Sequence, residues 1–260
     1  MNKKVLVTGA SGQLGKTIHE LYSKNELGLD FIFTSRSDLD ITKKERLKSF
    51  FNINNFDYCI NCAAYTNVEQ AEKNPEIAFE INSLGVKYLS EVCKENNVVL
   101  IHISTDYVFD GEKKEAYVVN DIPNPINEYG KSKLQGENYI KDILEKYFIV
   151  RTSWLYSKKY GKNFYRIILE KAKIEEELSI TTEQIGCPTN TINLSKFIIS
   201  LINSDNKFYA IYHYCDDKVM TWYDFAEHIL LNFKKTNKIK LVKVSKYITF
   251  AKRPKNSVLK

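Results

Sequence analysis

A glycine-rich turn near the N-terminus constrains the fold of this chain more than any other feature. A strand predicted at residues 4–8 runs directly into Gly9, Gly12 and Gly15, spaced G-x-x-G-x-x-G, and a helix is predicted from residue 13. Glycines spaced in this way permit a tight turn, close approach of a pyrophosphate to the backbone, and close packing of helix on strand. The spacing is one residue longer than the G-x-G-x-x-G dinucleotide fingerprint, and a plain strand-to-helix turn is the alternative interpretation.

Hydrophobic runs of strand length then alternate with amphipathic segments of helix length. Strands are predicted at residues 4–8, 30–34, 58–63, 98–104 and 147–152, and helices at 13–24, 42–51, 75–96 and 129–144. This alternation is typical of an α/β protein with a doubly wound parallel sheet of the Rossmann type. Two helix starts are also predicted: a capping box from Thr42 to Glu45, and Asn74 as the N-cap before Pro75.

The pattern loosens after residue 152. Shorter strands are predicted at 178–181 and 208–214, and helices at 192–202 and 222–233. We therefore predict an NAD(P)-binding Rossmann domain over residues 1–152. Residues 153–260 are predicted to form mainly a smaller C-terminal substrate-binding lobe, with some segments returning to the Rossmann core. No Gly-, Pro- or Ser-rich linker separates the two parts, which indicates that they pack closely.

Composition excludes several classes of protein. The 260 residues include 43% hydrophobic and 27% charged side chains, which is ordinary for a globular protein. No apolar stretch approaches the ~20 residues that span a bilayer, and the N-terminus leads into the first strand without a signal-peptide core. The net charge of +6 is spread along the chain, and the five cysteines are scattered. We expect a cytoplasmic protein without a membrane or nucleic-acid partner.

The end of the second predicted strand bears on cofactor choice. An acid that would bind the ribose of NAD is missing directly after this strand, where the sequence continues with Ser35, Arg36 and Ser37. The guanidinium of Arg36 and the hydroxyls of Ser35 and Ser37 suit the 2′-phosphate of NADPH better than the ribose hydroxyl of NADH. We therefore predict a preference for NADPH, with NADH still possible; a solvent-exposed loop arginine is the alternative reading of Arg36.

Tyr129 and Lys133 lie four residues apart, on one face of a predicted helix. The same Y-x-x-x-K spacing recurs at Tyr214 and Lys218, so the motif alone says nothing. Tyr129, however, opens a helix just after the fourth strand, where the carboxyl ends of parallel strands form a site. Hydride addition to a ketone leaves an oxyanion that a tyrosine beside a cation can protonate, and the hydroxyl of Thr105 could hold the carbonyl.

Seven motifs run in order through the chain: Gly9-x-x-Gly12-x-x-Gly15, Asn61-Cys-Ala-Ala-Tyr-Thr66, Ser104-Thr-Asp-Tyr-Val-Phe109, Tyr129-Gly-Lys-Ser-Lys133, Arg151-Thr-Ser-Trp154, Gln184-Ile-Gly-Cys-Pro-Thr189 and Arg253-Pro-Lys-Asn-Ser257. Together they resemble the dTDP-4-dehydrorhamnose reductase family of extended short-chain dehydrogenases. The resemblance implies NADPH- or NADH-dependent reduction of the 4-keto group of dTDP-6-deoxy-L-lyxo-4-hexulose to dTDP-L-rhamnose, in nucleotide-sugar and cell-surface polysaccharide biosynthesis.

The resemblance also implies site residues. The catalytic set would be Thr105, Tyr129 and Lys133. Together with Arg36, Tyr129 and Lys133, the cofactor contacts would be Gly9, Ser11, Gly12, Gln13, Leu14, Asp40, Ile41, Ala63, Ala64 and Tyr65. The dTDP-sugar would be contacted by Tyr107, Trp154, Asn163, Gln184 and Arg253. A core aromatic is the alternative for Trp154, and ordinary surface or loop duty is the alternative for the other four.

A metal site is not predicted. Some members of the family carry a glutamate just after the glycine loop that serves a magnesium site at a dimer interface, whereas here Gly15 is followed by Lys16 and Thr17. Asp106 and Asp110 also lack clustered His or Cys ligands. A monomer and a homodimer both stay open.

Two other functions remain compatible with these motifs. The substrate could be another 4-keto nucleotide sugar, because the sugar pocket is less well determined than the catalytic set. The regulatory subunit of methionine adenosyltransferase resembles the same reductases, so a non-catalytic binding partner is a different class of answer. The intact Thr105, Tyr129 and Lys133 favour an enzyme.

Overall fold

The computed structural model describes residues 2–24, 27–204, 208–233, 239–245 and 247–260. The first part of the chain forms β1 (Lys3–Thr8), α1 (Gln13–Tyr22), β2 (Leu29–Thr34), α2 (Lys44–Asn54), β3 (Tyr58–Asn61), α3 (Val68–Lys73), α4 (Pro75–Phe79), α5 (Gly85–Glu95), β4 (Val99–Thr105), α6 (Glu128–Ile143) and β5 (Tyr147–Thr152). The second part forms β6 (Leu155–Tyr156), α7 (Phe164–Lys171), β7 (Glu177–Thr181), β8 (Ile185–Gly186), β9 (Thr189–Asn190), α8 (Thr191–Asn203), β10 (Ala210–His213), β11 (Met220–Thr221), α9 (Trp222–Leu231) and β12 (Lys240–Val244). None of the helices in these ranges is long and apolar enough to cross a membrane.

Six parallel strands form the central sheet, in the order β10-β5-β4-β3-β1-β2. The chain leaves β1 towards β2 on one side and returns to β3 on the other, so the order reverses between β1 and β3. Such a switch point opens a crevice at the carboxyl ends of the strands. The prediction of a doubly wound parallel sheet is confirmed.

Apolar side chains cover both faces of this sheet. On one face, Leu47, Phe51 and Leu89 from α2 and α5 pack under the strands with Ile140 from α6. The opposite face is covered by α1 and α8, and Ile198 belongs to its buried cluster. Both α8 and β10 come from the second part of the chain, yet they complete the sheet and its helical layer. The division of the chain at residue 152 remains a prediction.

The second part also builds a smaller cluster of its own. Phe225 and Ile229 from α9 pack with Ile168 of α7 and Leu178 of β7. Three two-stranded pairs surround this cluster, β12 with β7, β11 with β8, and β6 with β9. The sequence pattern predicted β7 and β10 but missed β12. It also missed the four two-residue strands, because two residues are too few to show a periodicity.

The predicted capping box at Thr42 is wrong. Helix α2 begins at Lys44, its N-cap is Lys43, and no side chain caps it. The hydroxyl and backbone N–H of Thr42 instead donate to Asp40 Oδ1, at 2.9 and 3.0 Å. Asn74 does stand at the N-cap before Pro75, but its side chain makes no capping hydrogen bond there.

The helix predicted at residues 75–96 contains a π-helical turn at Glu80–Leu84, between α4 and α5. Asn82 in this turn accepts from Tyr65 N at 2.8 Å and donates to Tyr65 O at 2.9 Å and Ser132 Oγ at 3.0 Å. Gly136 packs so close that a Cβ there would lie 2.2 Å from the Asn82 carbonyl oxygen. The wide turn therefore fixes the loop after β3 against α6.

Candidate active site

A cleft of about 590 Å³ opens at the carboxyl edge of the sheet. The predicted site residues that line it are Gly12, Gln13, Leu14, Ala64, Thr105, Tyr107, Tyr129, Lys133, Trp154, Asn163 and Arg253. The predicted residues that do not line it are Gly9, Ser11, Arg36, Asp40, Ile41, Ala63, Tyr65 and Gln184. Residues from distant parts of the sequence thus meet at the edge where the strand order reverses.

The glycine loop gives this edge its shape. Gly9 has a φ of 65°, and a Cβ on it would lie 2.5 Å from the backbone nitrogen of Ala63. These two residues therefore support the cleft from behind rather than line it. Gly12 is the N-cap of α1, which has no side-chain cap and no acid in its first turn. The free N–H groups and the helix dipole can attract an anion there.

Arg36 lies at the end of β2, outside the cleft lining. Its side chain is 69% exposed, and Nε lies 3.1 Å from Asp40 Oδ2. Burial raises the pKa of Asp40, but hydrogen bonds from Thr42 and Arg36 outweigh it and leave that pKa lowered. Ile41 is buried, with its side chain against Gly85. Because Arg36 is exposed, its guanidinium can still pair with the 2′-phosphate of a cofactor.

An acid at this strand end escaped the sequence analysis. Asp38 folds back so that its Oδ2 accepts from the backbone N–H of Ser35 at 2.8 Å and from the Ser35 hydroxyl at 2.6 Å. These hydrogen bonds, the side-chain one first, lower the pKa of Asp38. No acid follows β2 directly, since Ser35, Arg36 and Ser37 come first; Asp38 comes after them, and its carboxylate is already occupied by Ser35.

Thr105, Tyr129 and Lys133 line the same cleft. Thr105 ends β4, and Tyr129 stands one turn before Lys133 in α6, whose N-cap Asn127 accepts from Gly130 N at 2.8 Å. Burial raises the pKa of Tyr129, and a hydrogen bond with Thr105 acts in the opposite direction. A tyrosine that keeps its proton can serve as an acid.

Lys133 is almost completely buried. Its Nζ donates to the carbonyl oxygen of Ile103 at 2.7 Å and lies 3.1 Å from His102 Nε2. Burial lowers the pKa of Lys133 to about 8, against the attraction of Glu137 and Cys62. A lysine in this range changes charge near neutral pH.

Asp106 follows Thr105 and is a site residue that the sequence analysis did not select. It is 2% exposed, and its two oxygens accept from Thr105 Oγ1 at 3.0 Å and from Ser153 Oγ at 2.9 Å. Burial raises the pKa of Asp106 to about 6, although hydrogen bonds from Ser257, Ser153 and Thr105 oppose the shift. The backbone N–H of Tyr107 also donates to Thr105 Oγ1, at 3.1 Å. These bonds fix the Thr105 hydroxyl at the cleft.

Two tryptophans form the wall of the cleft opposite the glycine loop. Trp154 has a positive φ of 46° and stacks on Trp222, with ring centroids 3.5 Å apart and planes at 3°. Gly186 lies behind Trp154, where a Cβ would come within 2.6 Å of the ring. Gln184 accepts from Trp222 Nε1 at 2.8 Å, so it acts through that ring rather than facing the cleft. No sequence signal pointed to Trp222, because its role depends on a stack with a distant residue.

Asn163 joins the second part of the chain to the glycine loop. As the N-cap of α7 it accepts from Arg166 N at 3.1 Å, and its Nδ2 donates to Gln13 Oε1 at 3.1 Å and to Ser157 O at 2.9 Å. Gly161 also lies against Gln13. The amide of Asn163 is therefore engaged in holding the cleft walls together.

Arg253 reaches the cleft from the C-terminal segment. Its Nη2 donates to Glu69 Oε1 at 2.9 Å, while its Nε is buried and has no hydrogen-bond partner. Glu69 also accepts from the backbone N–H of Phe250 at 2.9 Å, which anchors this segment to α3. Tyr107 is buried beside Arg253; burial raises its pKa to about 12, and Arg253 opposes that shift. A guanidinium with an unused donor is suited to an anionic ligand.

The described residues contain no group of three or more His, Cys, Asp or Glu side chains that could hold a metal ion. The prediction that no metal is needed is not tested by this finding.

Comparison with known proteins gives a consistent picture. A family model described as the RmlD substrate binding domain matches residues 3–260. The dTDP-4-dehydrorhamnose reductase of Aggregatibacter actinomycetemcomitans is 38% identical, over 98% of this chain and 90% of that protein. The dTDP-4-keto-6-deoxy-D-glucose reductase of Streptomyces niveus is 34% identical, over 87% of this chain and 77% of that protein. The structure of dTDP-4-dehydrorhamnose reductase from Bacillus anthracis in complex with NADP has a TM-score of 0.93 and 38% identity, covering 100% of this chain and 91% of that chain.

Proposed function

The chain belongs to the dTDP-4-dehydrorhamnose reductase family, and from this premise we propose that it reduces the 4-keto group of dTDP-6-deoxy-L-lyxo-4-hexulose to give dTDP-L-rhamnose, with NADPH as the preferred cofactor. The product would supply the synthesis of cell-surface polysaccharide. We further propose that the reaction takes place in the cytoplasm, on a monomer or a homodimer.

The observation that carries this proposal is the shared cleft. Thr105, Tyr129 and Lys133 line the cleft that also receives the first turn of α1 on one side and Trp154 and Arg253 on the other. A nucleotide sugar that is anchored at its diphosphate can therefore present its keto carbon to the catalytic hydroxyls.

The glycine loop fits a dinucleotide cofactor. The uncapped first turn of α1 can hold a pyrophosphate, since Gly12 leaves its N–H groups open. Arg36 is exposed enough to pair with a 2′-phosphate after leaving Asp40. When bound, such a cofactor supplies the hydride.

Tyr129 is the proposed proton donor. As negative charge develops on the former carbonyl oxygen, the Tyr129 hydroxyl donates its proton to that atom. Lys133 in its ammonium form stabilises the resulting phenolate. Thr105 orients the carbonyl, for which its hydroxyl has to turn away from Asp106 or to receive a hydrogen bond from protonated Asp106.

Arg253 and the tryptophan stack are proposed to bind the substrate. Arg253 lines the cleft, so its guanidinium can pair with a diphosphate oxygen, and the stacked rings of Trp154 and Trp222 offer an apolar wall for the deoxysugar. Binding energy from these remote contacts then positions the reacting carbon.

A second candidate is the reduction of a different 4-keto nucleotide sugar. The Streptomyces niveus relative, named for dTDP-4-keto-6-deoxy-D-glucose, favours this candidate, because the catalytic residues would be the same for both sugars. The two sugars differ in stereochemistry around the ring. The walls of the cleft, rather than the catalytic residues, must therefore distinguish them.

The decisive experiment is a cofactor-oxidation assay with the purified full chain. NADPH and NADH are each offered with dTDP-6-deoxy-L-lyxo-4-hexulose, with dTDP-4-keto-6-deoxy-D-glucose and with the free 6-deoxy-4-keto sugar. We expect fastest turnover for NADPH with the first substrate, dTDP-L-rhamnose as product, and much slower reduction of the free sugar. Faster turnover of the second nucleotide sugar would favour the other candidate. Consumption of neither, together with no dTDP binding by calorimetry, would favour a non-catalytic regulatory subunit.

A further inference from the structure

A row of buried polar side chains connects Lys133 with the first strand of the sheet. Thr8, Asn61, His102 and Lys133 are each at most 2% exposed. The proposed reaction uses Lys133 but gives no role to the other three. Polar groups buried this deeply are costly unless each is hydrogen-bonded, so the donors and acceptors along the row can be assigned.

The orientation of the Asn61 amide is fixed by its neighbours. Its Oδ1 accepts from the backbone N–H of Ala63 at 3.2 Å and from the Thr8 hydroxyl at 2.7 Å. A backbone N–H can only donate. The amide oxygen of Asn61 therefore faces Ala63, and its NH₂ group points the other way, towards His102.

This orientation determines the tautomer of His102. Asn61 Nδ2 lies 3.0 Å from His102 Nδ1, and because an amide nitrogen only donates, Nδ1 has to accept. Burial lowers the pKa of His102 well below its ordinary value, which keeps the ring neutral. A neutral ring with an accepting Nδ1 carries its proton on Nε2.

The protonated nitrogen faces Lys133. His102 Nε2 lies 3.1 Å from Lys133 Nζ. A neutral amine offers a lone pair to that N–H, whereas an ammonium group has none and meets it donor against donor. The carbonyl of Ile103 accepts from Nζ at 2.7 Å in either case. The contact with His102 therefore distinguishes the two charge states of the lysine.

We propose that His102 is a positioning residue for Lys133: the tautomer imposed by Asn61 presents an N–H to the lysine nitrogen and so sets the pH at which Lys133 gains and loses its charge. The catalytic meaning of this inference rests on the proposed function, in which the ammonium form supports Tyr129.

Other groups around Lys133 act in both directions. Glu137 on the same helix and Cys62 after β3 favour the charged form, while burial of the lysine disfavours it. Glu137 is largely occupied by Arg151, whose Nη2 lies 2.7 Å from Glu137 Oε2. Of Glu137, Cys62 and His102, His102 is the residue whose side chain lies within hydrogen-bond distance of Lys133 Nζ.

The tautomer can be measured without any turnover. Long-range proton–nitrogen NMR on the ¹⁵N-histidine-labelled full chain, in the absence of substrate, distinguishes a protonated Nε2 from a protonated Nδ1. We expect a protonated Nε2 and a bare Nδ1 at His102. A protonated Nδ1 would overturn the proposal, whether or not the chain reduces any sugar.

Asn61→Asp tests the consequence for Lys133. The new carboxylate accepts from His102 Nδ1–H, which turns the tautomer and offers the Nε2 lone pair to the ammonium. We expect the basic limb of the pH profile of kcat/KM to move up by about one pH unit. Ser195→Ala is the control, because that buried hydroxyl donates to the Thr191 carbonyl within α8 and should change neither tautomer nor profile. A turned tautomer with an unmoved basic limb contradicts the proposal; if Asn61→Asp does not fold, the NMR measurement on the unaltered chain decides.

Discussion

On one side of the cleft, the first turn of α1 leaves its backbone N–H groups open, and Gly9 and Gly15 allow backbone segments to approach closely. We call this the glycine-loop side. On the opposite side, Trp154 is stacked on Trp222 and Arg253 is paired with Glu69, so the side chains are already engaged with one another. We call this the tryptophan side. One side is built to receive an anion through the backbone, the other to hold polar and aromatic side chains in fixed positions.

The difference shows how much each side depends on single residues. Backbone N–H groups survive most substitutions, because any residue except proline supplies them. A side-chain wall loses its contact when one side chain is changed. Substitutions on the tryptophan side should therefore alter substrate binding selectively, and those between the two sides should alter chemistry.

The largest expected effect lies between the sides, at Tyr129. Tyr129→Phe should lower kcat at least ~100-fold while cofactor binding is retained, because the proton donor is lost and the ring remains. The measurement is steady-state kinetics together with cofactor titration by fluorescence. Tyr214→Phe, in the second Y-x-x-x-K of the chain, is the matched control and should turn over normally. Normal turnover in Tyr129→Phe would remove this residue from the mechanism.

Arg253→Ala should weaken dTDP and the dTDP-sugar together, by roughly 10- to 100-fold, the range for a lost charge-assisted hydrogen bond. Calorimetry with dTDP and the KM for the nucleotide sugar measure this effect. Lys240→Ala, which removes an exposed cation paired with Glu177, controls for net charge. A loss of cofactor affinity instead of dTDP affinity would place Arg253 on the glycine-loop side.

Arg36→Ala should shrink the preference for NADPH over NADH by roughly 10-fold, chiefly by weakening NADPH, because an exposed guanidinium contributes less than a buried one. The ratio of kcat/KM for the two cofactors is the readout. Lys48→Ala, on the neighbouring surface of α2, is the control. An unchanged ratio would remove Arg36 from cofactor discrimination.

The smallest expected effect concerns Asp106, which accepts hydrogen bonds from Thr105 at the end of β4 and from Ser153 next to Trp154. Its folded-state pKa of about 6 lies above its ordinary value of 3.8, so folding favours the protonated form. The stability that it contributes is present at low pH and lost as pH rises through about 6. Relative to Asp106→Asn, the unaltered chain should lose about 1 kcal/mol of unfolding free energy between about pH 5 and 7.

Urea denaturation of both proteins at the two pH values measures this difference. Asp142→Asn, at an exposed position of α6, is the control and should run parallel to the unaltered chain. A difference between Asp106→Asn and the unaltered chain that stays constant with pH would mean that Asp106 is ionised throughout.

The glycine-loop side was marked in the sequence by its own glycine spacing. On the tryptophan side, Trp154 and Arg253 were named through the family resemblance, whereas their partners Trp222 and Glu69 were not. Helices and strands of the sheet were predicted because their apolar residues repeat regularly, and the glycine spacing marks the turn itself. Trp222 was missed because its stack on Trp154 joins residues far apart in the sequence. Asp38 was missed although its partner Ser35 is only three residues away. The capping box at Thr42 was wrong because Asp40, two residues earlier, competes for the same hydroxyl. A prediction from local sequence pattern fails where the side chain finds a different partner, either nearby in the sequence or far from it.

Gly186, which lies behind Trp154, limits which substitutions this sequence can accept during evolution. Any side chain at position 186 would enter the ring of Trp154, whose backbone already has the positive φ that larger residues avoid. A lineage that replaces Gly186 must therefore first give up the indole at position 154, and Trp222 then loses its stacking surface. Positions 154, 186 and 222 should accordingly change together or not at all among descendants of this chain. Such linked change in a set of diverged sequences would trace the aromatic wall without any further structure.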